Sequence, residues 1–219
     1  MRGVFVTGTG TEVGKSVVAA SICAALAARG ERVAAFKPVV TGLDEEPGEF
    51  GRDHELLASA ASSGQAPDEV APYRFGPPVS PHLAAELAGV TIEPAELVAA
   101  ARAHELVVCE GVGGLLVPIT PGYLVRDLAV DLALPVVIAA PPGLGTINHS
   151  LLTVEAARAA GLRVAGVVMT PWPEEPTPME RSNRATVEQL GRVAVSGLKR
   201  TKTDGLAEAG AALPLDDWL

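Results

Sequence analysis

Residues 8–16, GTGTEVGKS, end in Gly-Lys-Ser between an apolar run, Val4–Thr7, and an alanine-rich stretch, Ser16–Ala28. A strand that turns through glycines into a helix start is the setting of a phosphate-binding loop. Backbone amides and the helix N-terminus supply positive field, Lys15 reaches the terminal phosphates, and the Ser16 hydroxyl suits Mg²⁺. The spacing departs from Gly-x4-Gly-Lys-[Ser/Thr] by one residue: Thr9 stands where glycine belongs, and Gly8 sits one step early. A longer loop of a distinct subclass is implied, since the strand–turn–helix context is intact. Two more charges fit it. Lys37 ends the apolar run Arg32–Lys37 and precedes Pro38; the carboxyl ends of strands in open α/β sheets face the ligand crevice, so Lys37 reads as a second cation for phosphate. The bland alternative is a surface lysine. Glu110 ends the buried-looking run Leu106–Cys109 before a glycine cluster. A carboxylate there is costly to bury unless it meets a cation, and Mg²⁺ at the loop is the natural partner; the alternative is an exposed loop glutamate.

The elements that must hold these residues alternate along the chain. Strand-like runs cover Val4–Thr7, Arg32–Lys37, Leu106–Cys109, Pro135–Ala140 and Arg163–Met169; helical stretches cover Ser16–Ala28, Pro94–His104, Asn148–Ala160 and Pro178–Leu190. This pattern predicts an α/β fold with parallel strands and right-handed crossovers. Stretches 42–51, 72–81 and 171–178 read as loops of one domain spanning 1–219, and the last 25 residues are too weakly periodic to assign. The 48% apolar content with only 4% aromatics implies an aliphatic core, as a buried parallel sheet requires. A formal charge of −9 argues against a nucleic-acid partner. No apolar run suits a membrane span and no signal peptide is evident, so no membrane partner and a cytoplasmic protein are expected. Cys23 and Cys109 read as core residues. His82 reads as packing near a Ser-Pro turn, His149 as an early helix residue, and His54 and His104 as surface residues.

Five segments together resemble the dethiobiotin synthetase family: GTGTEVGKS (8–16), KPVVTG (37–42), SPHLAA (80–85), CEGVGGLLVP (109–118) and LGTINHSLLT (144–153). The family's loop, Gly-Thr-x-Thr-x-Val-Gly-Lys-[Thr/Ser], accounts for the spacing. The resemblance implies a single-domain P-loop NTPase-like fold with a mainly parallel, about seven-stranded sheet, working as a homodimer. It implies joining of 7,8-diaminononanoate and CO2 at the expense of ATP or another nucleoside triphosphate. It gives catalytic roles to Lys15, Lys37 and Thr11, and nucleotide contacts to Gly8, Thr9, Gly10, Thr11, Glu12, Val13, Gly14, Lys15, Ser16 and Val17. Mg²⁺ goes to Ser16, Asp53 and Glu110; Asp53, in GRDHELL (51–57), reads by itself only as an acidic residue opening a helix-like stretch. Substrate contacts go to Thr11, Glu12, Lys37, Thr41, Gly111, Val112 and Gly113, and across the dimer to Gly145, Thr146, Ile147 and Asn148.

The resemblance breaks at the base. Thr170, followed by Pro171, stands where the family usually has an adenine-reading asparagine, and SGLKRTK (196–202) replaces a Gly-x-[Ile/Leu]-Pro segment. Threonine lacks the paired amide donor and acceptor that read a purine edge. Relaxed base selectivity is expected, with CTP competing with or surpassing ATP. Two rival readings are weaker. A cobyrinate diamide synthase-like enzyme needs a glutaminase domain for which 219 residues leave no room, and partitioning or septum-positioning ATPases carry an extra loop lysine where this chain has Gly10.

Overall fold

The computed structural model describes residues 1–219. Six strands form the central sheet: β1 (Arg2–Gly8), β2 (Ala34–Phe36), β3 (Leu106–Glu110), β4 (Val136–Ala140), β5 (Val164–Trp172) and β6 (Val195–Lys199). Their order is β6-β5-β4-β1-β3-β2 and every pairing is parallel. Six parallel strands accord with the mainly parallel sheet of about seven that the resemblance implies. The sequence-read strands are five of these six; β6 is the addition.

Both faces of the sheet are covered, so its inner strands are mostly apolar along their length instead of alternating with polar residues. Alternate side chains feed two separate cores. Phe5, Phe36, Cys109 and Ile138 pack on one side; Val4, Val6, Val108 and Val137 pack on the other. The second side carries α1 (Lys15–Ala28), whose Val18, Ile22 and Leu26 lie on β1, and α2 (Asp53–Ala60), through Leu56 and Leu57. Helices α3 (Pro81–Ala88), α4 (Pro94–Arg102), α5 (Val125–Leu132), α6 (Thr146–Ala159) and α7 (Pro178–Gly191) complete the connections between strands. Helix α7 starts on a reciprocal cap: Glu180 N donates to Thr177 Oγ1, and Thr177 N donates to Glu180 Oε2 at 2.7 Å. No helix is long and apolar enough to cross a membrane. Both cysteines are buried, and Ser80 Oγ lies 3.0 Å from His82 Nδ1 in the Ser-Pro turn, as read from the sequence. His54 is a correction: it lies on the inward side of α2 and is buried, because the helix phase that turns Asp53 toward β2 turns His54 into the protein.

The unassigned C-terminal residues are structured. After β6 come α8 (Leu206–Ala211) and α9 (Leu215–Trp218), and Leu206, Leu213, Leu215 and Trp218 are buried in the α1 core. Helix α8 crosses α1 at Gly210, where a Cβ would fall 1.9 Å from the Ser21 carbonyl oxygen. Only glycine permits that approach, so the C-terminal segment buttresses the helix that follows the phosphate loop. Gly210→Ala gains helix propensity of about 1 kcal/mol but meets backbone that cannot rotate away; overpacking of this kind costs roughly 1–3 kcal/mol. The variant is expected to melt at lower temperature than the wild type. A melting temperature unchanged or raised would show that the crossing has slack.

Candidate active site

Strand register brings the charged residues together. Phe36 of β2 pairs with Cys109 of β3, so the next residues along, Lys37 and Glu110, are neighbours. The two-residue alternation then turns both toward the α1 side, since Phe36 and Cys109 face the other core. Lys37 Nζ donates to Glu110 Oε1 at 2.6 Å and to Asp53 Oδ2 at 2.8 Å. Ser16 Oγ donates to the same Glu110 oxygen at 2.9 Å. Lys37 is 4% exposed and Glu110 0%, which removes the surface readings for both. Asp53, half-exposed, begins α2 beside them.

Each group is shifted by this arrangement. Burial opposes the Lys37 charge, but Glu110 and Asp53 outweigh it and its pKa rises. Burial raises the Glu110 pKa, with Lys37 opposing. Burial lowers the Lys15 pKa, Glu110 opposing and Lys37 adding repulsion. Burial would raise the Asp53 pKa; Lys37 reverses the direction and lowers it.

The phosphate loop leaves β1 at Gly8, whose missing side chain makes room for Val13 and the Lys15 stem. Thr9 N donates to Ala139 O of β4 at 3.0 Å, and Lys15 Nζ donates to Gly10 O at 2.8 Å. Gly14 caps α1 in the left-handed conformation (φ 84°), with no side-chain cap and no acidic residue in the first turn. The first-turn amides are therefore free for an anion, and a Cβ at Gly14 would also strike Thr170 Cγ2 at 2.5 Å. Gly114, which sequence reasoning missed, lies against the loop, 3.5 Å from Gly8 O at its would-be Cβ.

These elements line a cleft of about 690 Å³. Thr11, Glu12, Val17 and Thr41 border it, with Val112 and Gly113 from the turn after β3; Gly111 is buried beneath. Leu43 and residues 45–52 also line it; the stretch 42–51 reads from sequence only as a loop. Their acids (Glu45, Glu46, Glu49) next to Asp53 are the signal that the sequence offers. Thr170 and Pro171 lie outside the cleft: Thr170 is buried against Gly14, and Trp172 lies over Gly197 with the Arg184 guanidinium carbon 5.5 Å from its ring centroid. Gly145, Thr146, Ile147 and Asn148 are also outside it, at the uncapped start of α6, where Gly145 takes φ 93°. Helix α6 begins at Thr146, two residues before the predicted start.

The donor set fits a hard divalent cation. Glu110 Oε2 is buried with no hydrogen-bond partner, and the Ser16 hydroxyl and Asp53 carboxylate supply further oxygens of the kind Mg²⁺ prefers.

Residues 2–198 match the family model described as an AAA domain. The chain is 44% identical over 194 residues to the ATP-dependent dethiobiotin synthetase BioD of Anaeromyxobacter dehalogenans (strain 2CP-1 / ATCC BAA-258), covering 87% of this chain and 86% of the relative. It is 35% identical to the protein of that name from Bacillus subtilis (strain 168), covering 90% and 87%. The chain belongs to the dethiobiotin synthetase family. Among solved structures it resembles the MinC:MinD cell division protein complex of Aquifex aeolicus, with TM-score 0.58, 12% identity and coverage of 98% and 88%. It also resembles the septum site-determining protein MinD with Mg-ADP from Pyrococcus horikoshii OT3, with TM-score 0.51, 14% identity and coverage of 95% and 86%. At such identity these likenesses show the P-loop fold alone, and they match the septum-positioning rival in fold without supplying its extra lysine.

The burial of Lys37 sets how this dethiobiotin synthetase-family site responds to mutation. Removing one partner of a buried ion pair costs roughly 3–5 kcal/mol, because the other charge is left unpaired. Lys37→Met is expected to fall in that range in denaturant unfolding, and Lys37→Met with Glu110→Gln to recover most of the loss. Additive losses in the double variant would mean that the pair is not coupled.

Proposed function

We propose that the protein is an ATP-dependent dethiobiotin synthetase, a ligase that converts 7,8-diaminononanoate and CO2 to dethiobiotin with release of nucleoside diphosphate and phosphate. The observation that carries the reading is the bonded junction of Ser16, Lys37, Asp53 and Glu110, with Lys15 lining the same cleft, in a chain 44% identical to a relative of that name. An uncharged substrate amine adds to CO2, giving a carbamate and a proton. A carbamate oxygen takes the terminal phosphoryl group as the diphosphate leaves. The second amine attacks the carbonyl carbon of this mixed anhydride, closes the five-membered ring, expels phosphate and loses its proton.

No step needs a covalent bond to the protein, so its work is positioning and charge stabilisation. Lys15 and the α1 amides hold phosphate oxygens, and Lys37 spreads charge where carbamate and phosphoryl group meet. Thr11 and Thr41 donate hydrogen bonds from the cleft border, and Glu12 orients the diamine. Mg²⁺, when bound by Ser16, Asp53 and Glu110, neutralises charge on the triphosphate.

The substrate carboxylate is read as bound by the α6 start of a second subunit in a homodimer. In support, residues 145–148 lie outside their own chain's cleft, and Leu144 beside them is 93% exposed. A cytoplasmic location follows from the use of nucleoside triphosphate. The base is read mainly by backbone groups, since Thr170 packs on Gly14. Loss of one paired contact is worth roughly 1–3 kcal/mol, enough to remove a strong adenine preference.

Purified protein with diaminononanoate, bicarbonate and Mg²⁺ is expected to form dethiobiotin; turnover stimulated instead by DNA or lipid would contradict the assignment. In competition binding, CTP is expected to rival ATP, whereas ATP tighter by about 2.7 kcal/mol, a hundredfold, would reveal an unrecognised adenine reader. Mixing Lys15→Met chains with Ile147→Pro chains is expected to restore part of the activity lost in each. No recovery, with mixed dimers demonstrated, would mean that each site is built within one chain.

A further inference from the structure

Helix α2 starts against the local rules. Its N-cap residue is Arg52, where Ser, Thr, Asp or Asn is preferred, and a cation there faces the positive end of the helix. The Arg52 side chain makes no capping bond and is not left in solvent. It reaches back across the loop: Nη1 donates to Gly42 O at 3.2 Å and Nη2 to Leu43 O at 2.9 Å. The same turn is fixed from its other side, where Gly42 N donates to Pro77 O at 3.1 Å and Leu43 N to Phe75 O at 3.2 Å. One guanidinium therefore closes the loop 42–52, and it is next in the chain to Asp53 while gripping the residue that follows Thr41.

We infer that Arg52 is a positioning residue: its two bonds to the Gly42 and Leu43 carbonyls fix the carboxylate of Asp53 relative to Thr41, and so shape the metal–nucleotide site. The inference rests on the reading of Asp53 as a Mg²⁺ ligand given above. Lysine replaces this grip only in part, because its single ammonium lacks the rigid, planar pair of donors with which arginine holds two carbonyls. Both ends of the grip, Arg52 and the Gly42–Leu43 turn, lie on the border of the cleft that Asp53 faces.

The alternative, that Arg52 acts only through its charge, has the opposite sign. Removing a cation beside a metal site strengthens binding of a divalent cation, whereas removing a support for a metal ligand weakens it. Mn²⁺ binding to the complex with a non-hydrolysable triphosphate, followed by electron paramagnetic resonance, separates the two. Arg52→Ala is expected to weaken Mn²⁺ binding roughly 10-fold or more, as loss of support behind a ligand typically does. Metal-free binding of the same nucleotide should be unchanged, and Arg52→Lys should lie between wild type and Arg52→Ala. Unchanged or tighter Mn²⁺ binding would overturn the inference. An equal loss of metal-free nucleotide binding would also overturn it, by making Arg52 a direct phosphate ligand. If Arg52→Ala does not fold, Arg52→Lys decides: Mn²⁺ binding equal to wild type at wild-type melting temperature refutes the grip. The readout needs no turnover, so a wild-type protein that made no dethiobiotin would count against the proposed reaction and leave this result standing.

Discussion

The ion pair between Lys37 and Glu110 is the constraint around which the site is organised. Two opposite charges at the ends of adjacent parallel strands, both out of water, are tolerable only together. They meet because β2 and β3 are in a register that makes them consecutive with the Phe36–Cys109 pair. A one-residue slip would turn one charge into the aliphatic core of the opposite face. The pair therefore disfavours wrong registers as well as preparing the site. Ser16 and Asp53 complete the arrangement by bonding to its members, which ties the phosphate-loop helix and α2 to the same point.

The rest of the fold keeps that point rigid. Helix α1 must present its free amides and the Lys15 ammonium within a fixed distance of Lys37, and it is held on both flanks. Leu56 and Leu57 of α2 pack on one side, and the close Gly210 crossing of α8 holds the other. The loop itself is bonded to β4 through Thr9, and the turn after β3 lies close against it at Gly114. Phosphoryl chemistry that depends on placement rather than covalent participation calls for this kind of support.

Much of this was legible in the residues. Continuous apolar runs marked five of the six central strands because a sheet covered on both faces demands them, and Gly-Lys-Ser after such a run marked the loop. Glu110 stood out as a charge where charge is expensive, and Lys37 as a cation at the ligand-facing end of a strand. Less legible were features set by tertiary contact. Strand β6 contains Ser196 and Gly197, and α8 and α9 are too short to show a period, so the C-terminus carried no usable pattern. His54 read as exposed because burial depends on which side of α2 faces the protein. The role of Leu43 and residues 45–52 as a cleft wall was signalled only by their acids, because the proline and glycines among them mark no more than a loop. Nothing in the sequence marks Arg52, because its partners lie nine and ten residues back along the chain.

Whether the buried cluster is the resting form of a site for Mg²⁺ and triphosphate is decided by a crystal structure with Mg²⁺ and a non-hydrolysable triphosphate. One ion is expected near Ser16 Oγ, Asp53 and Glu110, with direct oxygen contacts at about 2.0–2.1 Å or a bridging water, and with Lys37 Nζ facing the terminal phosphate. An ion bound elsewhere, with Lys37 and Glu110 still paired and both turned away from the phosphates, would contradict it.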